Sequence, residues 1–341
     1  MLRKKRPATL HDVARLAHVS IATVSRTLTR PDLVKDSTVR TVLEAIDKLG
    51  YFVQGAGRAL SLNRTSTIGA IFPSLNEGIF ANTASELQKT LGEKQYMLVL
   101  ACNEFSFQEE LKLTRMLLES GVDGLVFVGL EHDPGIFKLI DASHIPCVFT
   151  WAFDHAHRFY CVGFDDRRAG SIMAEYVAGL GHDRIGVITA YTRHNERQRE
   201  RLAGMRHALH DHGVALLPEH VIECKFSFQA GRDGARELLR QTLRPTAIIC
   251  SNDVMAIGAM AECQEMGLSI PGDISIAGFE NQGISSNVIP QLTTVGWSGH
   301  DLGRIAGEMV LSRIAGSAPP AMQVEVPVEL IVRGTTAPPR R

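Results

Sequence analysis

Long apolar runs are missing from this sequence. None approaches the ~18 residues that a membrane-spanning helix needs, which excludes a transmembrane segment. The start, Met1-Leu2-Arg3-Lys4-Lys5-Arg6-Pro7, is basic but leads into Thr9, His11 and Asp12, so no secretory signal is read there. Cysteine is sparse. Cys102, Cys147, Cys161, Cys224, Cys250 and Cys263 lie scattered among apolar residues with no C-x-x-C pair. Such thiols read as small buried hydrophobes of a reducing compartment, neither a disulfide frame nor a zinc site, and a cytoplasmic protein is expected. No nucleophile elbow, Walker loop or H-E-x-x-H occurs, so no enzymatic activity is expected. Gly55-Ala56-Gly57 and Gly179-Leu180-Gly181 lack the third glycine of a dinucleotide loop, and no cofactor is expected. His207, His210 and His212 surround Asp211, but on a helix the third histidine points away from the other two. His155-x-His157 falls in a polar loop, and no metal site is expected. What remains is a chain of 341 residues, 45% hydrophobic and 21% charged, enough for two or three domains with cores of their own.

Charge is divided unevenly along that chain. Residues 1–64 hold 12 Lys/Arg against 5 Asp/Glu, whereas the rest hold 24 against 32. A basic head on an acidic body implies that the head meets a polyanion. Thr9-Leu10-His11-Asp12 has the form of a capping box and opens a first helix. After a short turn at His18-Val19, Ser20 caps a second helix over 21–28. A third begins near Asp36, carries Val39, Val42, Leu43, Ile46 and Leu49 on one face, and stops at Gly50. Two short helices around a tight turn, braced by a third, form a helix-turn-helix. Its second helix enters the major groove of duplex DNA with N-terminal residues at base edges.

The run Asp12-Val13-Ala14-x-x-Ala17-x-Val19-Ser20-x-x-Thr23-Val24-Ser25-Arg26 closely resembles the LacI/GalR family of bacterial transcription regulators. The resemblance implies that Ile21, Ala22 and Arg26 face bases while Ser20, Thr23 and Ser25 contact phosphates. Arg26 suits bidentate pairing with guanine O6/N7, and Ile21 suits a thymine methyl. Residues 51–63 correspond to the family's hinge, which becomes helical on operator DNA. There Ala56-Gly57-Arg58-Ala59-Leu60 makes Leu60 the residue wedged into the minor groove. Gly55 and Gly57 each cost that hinge helix roughly 1 kcal/mol of propensity, so it is expected to form only in the dimeric DNA complex.

From Thr67 onward, apolar runs at 68–72, 97–101, 124–128, 146–149, 185–189, 247–250 and 274–277 alternate with amphipathic stretches. That alternation predicts parallel sheets covered on both faces. The pattern restarts after about residue 160. The expected fold is therefore an all-α helix-turn-helix head plus an α/β, periplasmic-binding-protein-like body of two doubly wound parallel-sheet subdomains. Expected boundaries are 1–50 for the head, 51–65 for the hinge and 66–341 for the body. Within the body, one subdomain takes about 66–162 and 293–325, the other about 163–290 and 326–338.

The body also resembles the family at Val162-Gly163-Phe164-Asp165, Gly181-His182-x-Arg184-Ile185-Gly186, Arg201-Leu202-Ala203-Gly204, Ser251-Asn252-Asp253 and Ile276-Ala277-Gly278-Phe279. Pro290-x-Leu292-Thr293-Thr294-Val295 reads as the return crossing between subdomains. This implies a small effector in the cleft, clamped by Arg201, with Asn252 and Glu280 on hydroxyls and Phe80 and Phe226 packed against it. Asp253, in the same segment as Asn252, is read as a cap of the following helix. Phe72-Pro73-Ser74-Leu75, Phe80-Ala81 and His132-x-Pro134 look like the gluconate-utilisation repressors and add His132 to the effector set. A sugar acid such as gluconate or 2-ketogluconate is then implied, with its carboxylate on Arg201 and its hydroxyl end toward Glu280. A neutral sugar or a purine is the alternative effector, and a sugar-binding transport protein the alternative class. The expected partners are operator DNA, the effector and a second copy of the chain. The C-terminal Arg333-Gly334-Thr-Thr-Ala-Pro-Pro-Arg-Arg carries no leucine heptads, so a homodimer rather than a tetramer is expected.

Overall fold

The computed structural model describes residues 6, 8–52, 64–75, 78–319 and 321–340. The chain divides into two compact units, Met1–Thr65 and Ser66–Arg341.

In the first unit, α1 (Leu10–Leu16) starts at Thr9, whose hydroxyl accepts from the Asp12 amide while Asp12 bonds back to the Thr9 amide. Ser20 caps α2 (Ile21–Thr29) in the same sense. The α3 helix (Asp36–Leu49) ends at Gly50, whose φ of 58° is a left-handed conformation that glycine adopts without a side-chain clash. Val13, Ala14, Ala17, Val24, Val42, Ala45 and Tyr51 close a small core among the three helices.

The second unit holds two six-stranded sheets. The first has the order β11-β5-β4-β3-β1-β2, from β1 (Thr67–Phe72), β2 (Met97–Cys102), β3 (Gly124–Val128), β4 (Cys147–Thr150), β5 (Cys161–Gly163) and β11 (Gln323–Glu325), and its recorded pairings are all parallel. The second has the order β12-β10-β9-β8-β6-β7, from β6 (Ile185–Ala190), β7 (Val221–Cys224), β8 (Ala247–Cys250), β9 (Ser275–Phe279), β10 (Thr293–Gly296) and β12 (Glu329–Ile331). Only β12 runs antiparallel to its neighbour there. Helices α4 (Gly78–Gly92), α5 (Phe107–Glu119), α6 (Pro134–Ser143), α7 (Asp166–Gly179), α8 (Glu196–Asp211), α9 (Phe228–Leu239), α10 (Asp253–Glu265) and α11 (Gly299–Ile314) cover the faces. Central strands such as β3 are buried at every residue, as parallel strands sandwiched by helices must be.

One boundary differs from the sequence reading. Thr293–Gly296 pairs with β9 in the second sheet, Thr293 opposite Ala277, so these residues belong to the second subdomain and not the first. Thr294 holds the strand there by donating its hydroxyl to the buried Asp253 at 2.7 Å. The return crossing therefore follows β10, at Trp297-Ser298, after which α11 packs against α4. The six cysteines are free thiols, and burial pushes those of Cys147, Cys161, Cys250 and Cys263 upward. Among the described residues no helix is long and apolar enough to cross a membrane.

Candidate functional site

The second helix of the head exposes one mixed face. On α2, Val24 and Thr27 are buried, whereas Ser20, Ile21, Ala22, Ser25 and Arg26 are exposed and Thr23 is half-buried. Exposing Ile21 at 40% while Val24 is fully buried leaves an apolar side chain facing outward beside a cation. Ser20 and Thr23 also do structural work: the Ser20 hydroxyl accepts from the Thr23 amide at 3.0 Å, and the two hydroxyls lie 2.8 Å apart. Leu60 lies outside the described residues.

In the body, the site forms where the carboxyl ends of the strands of both sheets face one another, the usual ligand position in doubly wound sheets. Arg201, on α8, is 3% exposed and makes three hydrogen bonds. Its Nε and Nη2 donate to Asp166 Oδ1 at 3.1 and 2.6 Å, and Nη1 donates to the Ser251 carbonyl at 2.8 Å. The guanidinium lies over the rings of Phe279 and Trp297. The sequence reading gave this fork to a ligand carboxylate; in the fold its Nε and Nη2 reach Asp166, at the first turn of α7 and 35 residues away. Burial pushes the Asp166 carboxyl up to about 6, against the pull of the Arg201 guanidinium. The contact requires α7 and α8 to touch backbone to backbone. A β-carbon on Gly170 would stand 2.1 Å from the Arg201 carbonyl oxygen, and one on Gly204 1.9 Å from that of Arg167.

Around Arg201 the cleft is lined with rings. Phe80 is buried against Trp151 (centroids 4.7 Å apart) and edge-on to Phe72 (6.2 Å). Trp151 meets Trp297 at 90°, and Trp297 stacks on Phe164 at 4.0 Å. Phe80, Trp151, Arg197, Gln198, Arg201, Phe226 and Glu280 enclose a space of only about 10 Å³, room for roughly one water molecule. Two larger spaces, each of about 710 Å³, adjoin it. One lies at the cleft mouth and includes Phe105, Tyr191, Arg193, Lys225, Phe226 and Asn252; the other follows the first crossing between subdomains and includes Glu131, Asp154, Arg158, Arg167 and Arg197. Across the closed cleft, Glu196 accepts from the Leu130 amide at 2.6 Å, Arg199 pairs with Glu131 at 2.6 Å, and Phe105 stacks on Phe226 at 5.7 Å.

The other expected effector residues divide. Asn252 caps α10, accepting from the Met255 amide at 2.8 Å, while lining the mouth cavity. Asp253 is no cap. It is buried and receives the Gln282 amide and the hydroxyls of Ser285 and Thr294, tying β9 and β10 to the segment that follows Glu280. Burial pushes its carboxyl up to about 6 against those hydrogen bonds. Glu280 is 6% exposed, sits at φ 98°, and accepts from Gln282 Nε2 at 2.6 Å. A positive φ on a residue with a side chain costs of order 1–3 kcal/mol and persists only where the surrounding structure holds it in place. His132 is a correction. Its ring is enclosed by Phe127, Phe137 and Phe149, with Nδ1 on Glu110 at 3.0 Å and Nε2 on the Gly129 carbonyl at 3.1 Å. Both nitrogens are engaged inside the first subdomain, away from the three spaces just described. Asp166, Trp151, Trp297 and Arg197 were not read from the sequence. The Asp165-Asp166 pair after a strand was the one available signal.

Of the histidines near Asp211, His207 and His210 reach that carboxylate, while His212 bonds the Ala208 carbonyl of its own helix. No group of three His, Cys, Asp or Glu side chains among the described residues could hold a metal ion.

Residues 9–53 match the family of bacterial regulatory proteins called lacI, and residues 174–336 match a periplasmic binding protein-like domain. The chain is 30% identical over 332 residues to the HTH-type transcriptional repressor PurR of Klebsiella pneumoniae, covering 97% of each chain. It is 28% identical to catabolite control protein A of Priestia megaterium, covering 96% of this chain and 99% of that one. Its fold superposes on the lac repressor dimer bound to operator and the anti-inducer ONPF with a TM-score of 0.87, at 26% identity over 97% of this chain and 100% of the other. The helix-turn-helix head, the two-sheet body and full-length similarity to named repressors agree: this chain belongs to the lacI family of bacterial regulatory proteins, which are DNA-binding transcriptional regulators.

Proposed function

We propose that this protein is a repressor whose grip on operator DNA is controlled by a small effector in the body's cleft, and that the effector is a sugar acid such as gluconate or 2-ketogluconate. The observation that carries the DNA reading is the α2 face, which exposes Ser20, Ile21, Ala22, Ser25 and Arg26 on a head where Lys and Arg outnumber Asp and Glu by 12 to 5. Arg26 and Ile21 are assigned to bases, and Ser25, with the outer sides of the Ser20 and Thr23 hydroxyls, to phosphates. Binding to a duplex footprinted beside the protein's own gene should weaken steeply with salt as counterions are released. Arg26→Ala should cost about 1–3 kcal/mol on that operator and relax preference at a single base pair. An unchanged affinity would remove Arg26 from the interface, and a flat salt response would favour a transport role.

A homodimer is proposed, consistent with the dimer named in the lac repressor structure and with two half-sites on the DNA. The edge strand β2 exposes Met97, Val99 and Leu100, an apolar edge of the kind that proteins normally cover. Light scattering should give twice the 37.3 kDa chain mass; a stable tetramer or a monomer would oppose this.

For the effector, a clustered set of rings supports a second reading, a flat purine-like ligand, since Phe80, Trp151 and Phe226 line the central space. Calorimetry with gluconate, 2-ketogluconate, neutral hexoses and purines separates the two, and binding confined to hexoses or purines would overturn the sugar-acid reading.

A further inference from the structure

The centre of the cleft has an excess of donors. The indole Nε1–H groups of Trp151 and Trp297 and the Nε–H of Arg197 are buried and meet no acceptor among the described residues. Buried donors are nearly always paired, so three orphans, two of them lining one small space, call for an explanation. The rings tie them together: Trp151 lies 5.9 Å from Trp297 and 4.7 Å from Phe80, over which the Arg197 guanidinium sits at 5.9 Å. Trp151 is 2% exposed and lines the central space.

Among the described arginines that line this space and the cavity along the first crossing, charge pairing leaves Arg197 over. Arg201 holds Asp166, Arg199 holds Glu131, Arg167 holds Glu200 and Arg158 lies against Asp154. Arg197 has no carboxylate within ion-pair distance among the described residues, yet it lines both the central space and the larger cavity along the first crossing. The acceptors nearby are committed: Asp166 to Arg201, Glu196 to the Leu130 amide, Gln198 Oε1 to the Thr189 hydroxyl, and Glu280 to Gln282.

We propose that Trp151 and Arg197 are the residues that select the effector's acid group, and that the ligand is a hydroxylated monocarboxylate. Its carboxylate lies between Arg197 Nε and Trp151 Nε1, and its hydroxyls lie toward Glu280. This rests on the effector-cleft reading above and transfers the carboxylate from Arg201 to Arg197. Because the central space holds about 10 Å³, the ligand must part the Phe80–Trp151 contact to enter, reaching in from the cavity that Arg197 also lines. Trp151 and Trp297 are the chain's two tryptophans, so intrinsic emission reports this event directly.

The test titrates the full-length protein with gluconate and with glucose, its neutral and ring-closed parent sugar, following tryptophan emission and calorimetric heat. Gluconate should shift the emission. Trp151→Phe, which keeps an aromatic ring and removes the N–H, should weaken gluconate binding about 10- to 100-fold, the range for a hydrogen bond to a charged group. Arg197→Gln should do at least as much, and any glucose binding should change little in either variant. Gluconate binding that persists unchanged in both would overturn the role of these donors and leave the effector cleft standing. Binding of glucose or a purine with no binding of gluconate or 2-ketogluconate would overturn the ligand class. No heat and no emission change with any of them would overturn both readings. Should Trp151→Phe fail to fold, Arg197→Gln carries the same test.

Discussion

Arg201→Ala is expected to lose about 3–5 kcal/mol of unfolding free energy at pH 7.5, the usual cost of removing one partner of a buried ion pair. Asp166 would then be a buried carboxylate with no guanidinium bonded to it and Arg197 nearby, beside a Ser251 carbonyl that has lost a donor. The loss should depend on pH, with a defined sign. Burial already holds Asp166 at about 6 in the folded state against an ordinary value of 3.8, even with Arg201 pulling it down. A carboxyl raised on folding contributes its stability fully below 3.8 and loses it as pH rises through the folded value. Removing Arg201 raises the folded value further, because the largest opposing influence is gone. The variant's deficit should therefore be greatest above pH 6 and shrink as pH falls toward 5, where Asp166 takes up a proton. Urea unfolding of both proteins at pH 7.5 and pH 5 measures this, and a deficit that stays constant would mean that Asp166 is not the group left exposed to the change. The same variant should respond poorly to effector, since the ring stack of Phe279, Arg201 and Trp297 forms one wall of the cleft.

Gly204→Ala should be at least as damaging, by a different route. A methyl group there would stand 1.9 Å from the Arg167 carbonyl oxygen, a backbone atom that no rotamer change can move. α7 and α8 would have to separate, loosening the packing of Ala169, Met173, Met205 and Ala208 that the helices share. Overpacking with no means of relief puts the cost at about 3 kcal/mol or more, with a Tm fall of roughly 10 °C. Gly179→Ala, in the last turn of α7, is the matched control. A β-carbon there meets nothing within 4 Å, so the gain in helix propensity should leave stability unchanged or raised by up to about 1 kcal/mol. Differential scanning calorimetry of the pair distinguishes a steric requirement at the helix crossing from a general effect of losing a glycine. Equal melting temperatures would show that the two helices are not held by backbone contact.

What could be read from sequence was what short-range physics determines. Thr9, Ser20 and Gly50 marked helix ends because capping needs only a few neighbouring residues. The buried strands declared themselves as apolar runs because helices cover both of their faces. The three-residue strands Gln323–Glu325 and Glu329–Ile331 gave no such signal, being short and only partly buried at the sheet edges. β10 was placed in the wrong subdomain because chain order does not reveal on which side of a crossing a strand pairs. His132 was set in the cleft by a local motif, whereas its ring is captured by three phenylalanines and by Glu110, 22 residues away. The Asp166–Arg201 pair and the Phe80–Trp151–Trp297 cluster escaped for the same reason. Their members meet only after two sheets have formed and faced each other, and no local spacing encodes that meeting.

The three crossings of the body all involve strands at one margin of each sheet: β5 and β11 at the end of the first, β10 and β12 at the end of the second. The two halves are thus bound along a common spine, as pages are. Three tapes fixed side by side permit a swing about the spine but resist sliding and independent twisting. Whatever wedges the halves apart at the tryptophans is obliged to spend its motion as rotation about that spine. Displacement then grows with distance from it, so a small opening at the bound molecule becomes a larger one at the far rim of the first sheet, where β2 runs.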